Sequence, residues 1–150
     1  MANKMRYRWG PLVLNWVDKS ATVDVEQGDM LKWVTGGTVT PCTTSADATV
    51  FCGIAMSASP TSDASGQSVR IAMAGYGAVF SFPAADSATV TVGDYFIITA
   101  NQEIDEHAAI TLFNASGTNV VCVCVQEAAA GDEVLVSFLP GRLNPQIRTV

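Results

Sequence analysis

Charge is scarce in this sequence. Only 15% of its 150 residues are Asp, Glu, Lys or Arg, where a soluble domain usually carries about a quarter. The shortfall suggests that other chains cover much of the surface. Histidine is scarcer still. The one histidine, His107, stands beside Asp105 and Glu106. A hydrolytic triad needs such a histidine next to a nucleophile, and no Gly-x-Ser-x-Gly turn presents one. His107 reads as a surface loop residue. Glycine-rich phosphate cradles are absent, and Gly75-Tyr76-Gly77 reads as a bend or bulge between two strands. No cofactor is expected.

Long apolar runs are missing too. None approaches the ~20 residues of a membrane span, so no membrane is expected as a partner. Leu12–Val17 is too short and too polar for the core of a secretory signal. The chain is therefore expected to be made, and to fold, in the cytoplasm. Four cysteines, Cys42, Cys52, Cys122 and Cys124, are too few for a disulfide scaffold. Cys122 and Cys124 share a strand face and could begin a soft-metal site. Only Cys42, Cys52 and His107 remain to complete it, so two small core side chains are the better reading. No metal is assigned, and the oxidation state of the four thiols stays open.

The net charge of −6 is unevenly placed. Residues 1–19 hold Lys4, Arg6, Arg8 and Lys19 against Asp18. The tail 142–150 holds Arg142 and Arg148, while thirteen acids in 20–141 face only Lys32 and Arg70. An acidic body repels phosphate, which excludes nucleic acid as its partner. The basic ends are expected to reach onto acidic partners. Tyr7, Trp9 and Trp16 add aromatic anchors to the N-terminal segment. Arg6, Tyr7, Arg8, Trp9, Trp16 and Arg142 are thus the candidate partner-binding residues.

What the sequence does have is repetition. Val23-Asp24-Val25-Glu26-Gln27-Gly28-Asp29-Met30-Leu31 returns as Thr89-Val90-Thr91-Val92-Gly93-Asp94-Tyr95-Phe96, with the Gly-Asp pair 65 positions on. At the same offset, Gly66, Val69, Ile71 and Met73 become Gly131, Val134, Val136 and Phe138. One unit of about 65 residues, built twice, is implied. Asp29 and Asp94 have the residue type of paired catalytic carboxylates. An aspartate after a turn glycine more often binds local backbone amides, and its repetition favours that role.

Apolar residues alternate with period 2 through most of the chain, the mark of half-buried strands. Residues 95–99 and 120–125 are continuous β-branched and aromatic runs, as in strands covered on both faces. Glycine-bearing turns separate the runs. Residues 57–67 form the longest loop, placed on an exposed rim. Glu103–Ala109 is allowed one or two helical turns, and Pro11–Lys19 suits either a helix face or an extended arm. The expected fold is all-β: a compact barrel or sandwich of about ten strands in two pseudo-repeated units, 22–76 and 89–141. Residues 1–21 form an N-terminal arm, 22–141 the single β domain and 142–150 a tail.

Several segments in this order resemble one family. They are Gly53-Ile54-Ala55, Gly66–Ile71, Gly77–Pro83, Val92-Gly93-Asp94-Tyr95-Phe96 and Val125–Val134. They resemble the capsid decoration, or cement, proteins of tailed bacteriophages over residues 22–141. The resemblance implies a β-barrel-like protein on the outer surface of a phage head, bound to the major capsid protein. It also implies homotrimers and no enzymatic role, and it names no catalytic residue. The N-terminal extension and the Arg-rich tail depart from the pattern. The alternatives are a phage fibre or surface-displayed β interaction module and, with less support, a small trimeric β-fold enzyme.

Overall fold

The computed structural model describes residues 5–60, 68–82, 90–100, 103–105, 120–129 and 132–139. His107, Arg142 and residues 61–67 lie outside these segments. The fold is all-β, with eleven strands and one short 3-10 turn, Ser45–Val50, among the described residues. The strands are β1 (Arg6–Trp9), β2 (Leu14–Asp18), β3 (Met30–Trp33), β4 (Val39–Pro41), β5 (Phe51–Ala55) and β6 (Ser68–Met73). Then follow β7 (Val79–Phe82), β8 (Tyr95–Ala100), β9 (Glu103–Asp105), β10 (Val120–Gln126) and β11 (Val134–Phe138). Glu103–Asp105 is therefore a strand and not the start of a helix. It pairs antiparallel with β8, whose β-branched run offers a partner ladder.

Two antiparallel sheets form. One runs β2-β6-β5-β3-β4 and the other β1-β7-β11-β10-β8-β9. Without β1, the second order is the first with each strand replaced by its later copy. The register repeats as well. The backbone pair Val17–Val69 recurs as Phe82–Val134, and Trp33–Val39 recurs as Ile98–Ile104, each residue moved by 65 positions. Only β5 differs, because it maps onto β10 at an offset of 69 (Gly53 onto Cys122). The bulge between Leu31 and Lys32 returns between Cys122 and Val120. The isolated bridge Val25–Ser59 returns as Val90–Ala128. The structure is thus one five-stranded unit built twice.

This register corrects the boundaries read from the sequence. The first unit begins at Leu14 and not near residue 22, because β2 is the counterpart of β7. The N-terminal segment is not an arm outside the β body. Its β2 pairs with β6 and its β1 with β7, so its strands extend both sheets. Backbone donors of an extended segment need partners, and each sheet offered an open edge for them.

Each unit encloses an apolar interior. Val25, Leu31, Cys52, Ala55, Val69 and Ile71 fill the first. Their counterparts Val90, Phe96, Val121, Cys124, Val134 and Val136 are equally buried. A larger cluster joins the second interior to the seam between the units, where Phe51 stacks on Phe138 at 5.2 Å. Strand β5 lies between the first interior and this seam, so it is buried along its whole length. That is why Phe51–Ala55 shows no polar alternation.

Lys19 closes the first unit. It lies just past β2, forms a parallel bridge with Val39 and is 2% exposed. Its Nζ donates to the carbonyls of Val23 (2.7 Å), Ser59 (3.1 Å) and Pro60 (2.5 Å). Three donors meet three acceptors, which offsets the cost of burying the ammonium. The bridge draws the sheet's two edge strands together at one point, so the sheet curls without closing a full barrel.

Candidate functional site

The duplicated turns were one candidate for chemistry. In both, a glycine with positive φ (Gly28, 94°; Gly93, 95°) reverses the chain, a conformation costly for other residues. The Asp29 carboxylate accepts the Glu26 amide at 2.8 Å, and the Asp94 carboxylate accepts the Thr91 amide at 2.8 Å. The Gly28 amide then reaches the Ala55 carbonyl and the Gly93 amide that of Cys124. Both aspartates hold turns against a neighbouring strand. Each sits in its own unit, with its carboxylate taken up by its own turn.

The thiols are core groups. Cys42, Cys52, Cys122 and Cys124 are all buried, and none forms a disulfide. Burial pushes Cys52 up to about 12 and raises the other three above the ordinary thiol range. A thiol that stays protonated is a poor nucleophile and metal ligand. No group of three or more His, Cys, Asp or Glu among the described residues could hold a metal ion. A cleft of about 480 Å³ opens between Met5, Arg6, Tyr7, Gln27, Ala55 and Met56. Its size suits a small ligand, but Arg6 is the one charged side chain among the described residues that line it.

The N-terminal strands carry the strongest surface feature. Tyr7 rests edge-on against Phe80 with ring centroids 5.9 Å apart, and its hydroxyl donates to the Gly10 carbonyl at 2.7 Å. Arg8 donates through Nε to the Ser81 hydroxyl at 2.9 Å and through Nη2 to Glu133. Arg6 stands 3.9 Å from the same carboxylate. These two cations, expected to reach onto an acidic partner, also have an acidic neighbour within the chain. Glu133, just before β11, already engages both within the chain. The ion pairs are solvent-exposed and individually weak.

The aromatic anchors behave differently. Trp9 is 49% exposed and Trp16 66%. Val13, Leu14 and Tyr76 are exposed too, and Trp9 pairs with Val79 while Leu14 and Trp16 pair with Ala72 and Arg70. Trp9 lies on β1 and Trp16 on β2, so the two anchors belong to different sheets. Exposed apolar residues on the strands β1 and β2 make these strands the candidate interaction surface.

Sequence reasoning missed two members of this surface. Arg70 lies directly opposite Trp16 in the β2–β6 register, is exposed and has no ion pair among the described residues. Glu133 answers Arg6 and Arg8. Its counterpart at the 65-residue offset is Ser68, whose hydroxyl donates to Asp18 at 2.8 Å. The two units therefore keep one backbone and differ in surface charge, which a search for repeated motifs passes over. No protein-family model and no curated protein matches this chain.

Proposed function

We propose that this chain is a structural decoration protein, which binds the outer surface of a tailed-phage head and stabilises the mature shell without catalysis. One observation carries the reading: the exposed tryptophans of β1 and β2, set on a duplicated β body. The two aspartates that most resembled catalytic groups hold turns, and the four thiols are packed in the core. The segment order that resembles the cement proteins adds support. On this reading the chain meets the major capsid protein and neighbouring copies of itself as a homotrimer. A protein that binds only the expanded lattice stabilises it by mass action, and a closed oligomer multiplies weak contacts.

A phage fibre or surface-displayed β module would share the open strand edge and the exposed tryptophans. It would bind its target whatever the state of the shell. Co-sedimentation with unexpanded heads and with emptied, expanded heads separates the two. Binding confined to expanded heads supports decoration. Equal binding to both, or to neither, sinks it.

A further inference from the structure

The duplication provides an internal comparison at one strand edge. Val79 and Ser81 of β7 are 6% and 0% exposed, because β1 pairs along them. Their counterparts on β2 are Leu14 and Trp16, 37% and 66% exposed. β2 is the outermost strand of its sheet. The Met73 amide donates to the Val13 carbonyl. By the alternation of an antiparallel ladder, Asn15 and Val17 turn their backbone groups toward β6, and Leu14 and Trp16 turn theirs to the open side. The same positions on β7 receive β1.

We infer that the β2 edge is an acceptor for an extended, acidic segment of a partner protein, which adds antiparallel to β2 as β1 adds to β7. Charge decides the chemistry of the guest. At β7 the host presents Glu133, and the guest strand is cationic through Arg6 and Arg8. At β2 the host presents Arg70, on the same face as Trp16, and Glu133 is replaced by Ser68. Asp18, also on that face, takes the Ser68 hydroxyl and makes no ion pair with Arg70. The signs are reversed, so a carboxylate belongs opposite Arg70, with an apolar side chain over Trp16. Strand addition gains affinity from backbone hydrogen bonds and selectivity from such pairs. The inference depends on the decoration reading only for the name of the partner.

The test uses the full chain and two blocked peptides. One copies residues 5–11, and the other is the same peptide with both arginines replaced by glutamate. The glutamate peptide is expected to slow amide exchange at Leu14 and Trp16 and to bind more tightly than the arginine peptide. Arg70→Ala, on an exposed side chain, should weaken it roughly two- to fivefold. Leu14→Pro removes an amide that faces solvent, which edge strands tolerate, and should abolish binding while the fold persists. Absence of protection at Leu14 and Trp16 with either peptide overturns the inference. So does equal binding of the two peptides with no effect of Arg70→Ala, or sedimentation showing the edge occupied by a second copy. Heads are absent from this assay, so failure to bind shells counts against decoration alone.

Discussion

Trp16 and Ser81 occupy the same position of two repeated units, yet Trp16 is 66% exposed and Ser81 is wholly buried. The difference is β1, which lies over Ser81 and has no counterpart over Trp16 among the described residues. One strand edge is thus satisfied within the chain, and its twin has no partner strand among the described residues.

The N-terminal segment should be indispensable for folding. Removing residues 1–19 takes away β1, β2 and the Lys19 latch, and exposes two sheet edges. The truncated chain is expected to lack a cooperative thermal transition. A melting curve close to that of the full chain would show that neither strand matters to the body.

Lys19 should act as a structural cation. Lys19→Met keeps the apolar stem and removes the ammonium donor shared by the carbonyls of Val23, Ser59 and Pro60, of which Ser59 still accepts the Val25 amide. The expected loss is about 1–3 kcal/mol, read from the denaturant midpoint with an unchanged slope. An unaltered midpoint would mean that water satisfies those carbonyls equally well.

Much of the fold was legible in the sequence, because the duplicated turns carry their own chemistry. Gly28-Asp29 and Gly93-Asp94 are fixed by backbone demands identical in both units, so they kept their residues. The edge strands were not legible as copies. Asn15 and Trp16 align with Phe80 and Ser81, which reverses the polarity of both positions. Phe80 is buried under Tyr7 and Ser81 under Arg8, while Asn15 and Trp16 meet no covering strand among the described residues. The aromatic anchors were visible as residue types. That Arg6 and Arg8 answer Glu133 depends on a contact across more than 120 positions, which no local pattern encodes.

Gly53 should tolerate no side chain. A Cβ there would sit 2.1 Å from the Ala72 carbonyl oxygen. Gly53→Ala is expected to cost about 1–3 kcal/mol through forced backbone shifts. Its counterpart in the second unit is Cys122, so the later copy has room where the first does not. Chemical denaturation of the variant checks this, and a wild-type midpoint would refute the close approach.

The Lys32–Asp47 pair should shape acid stability. Burial alone would raise Asp47. Hydrogen bonds from Lys32 (2.8 Å) and from the Thr43 and Thr44 amides outweigh it and hold the carboxyl below its usual value. A depressed folded-state value adds stability that is complete above the unfolded value and lost as pH falls through the folded one. Wild type should therefore lose stability below about pH 4 more steeply than Asp47→Asn. Parallel acid-melting curves for the two proteins would mean that the pair contributes nothing.

The central claim is that the aromatic strand edges bind a phage shell. The direct measurement is co-sedimentation with emptied, expanded tailed-phage heads, comparing wild type with Trp9→Ala/Trp16→Ala. If either tryptophan is a hot spot, the double variant should stay folded and bind at least about 30-fold more weakly. Wild-type protein that remains in the supernatant, or a double variant that pellets as fully as wild type, would contradict the account.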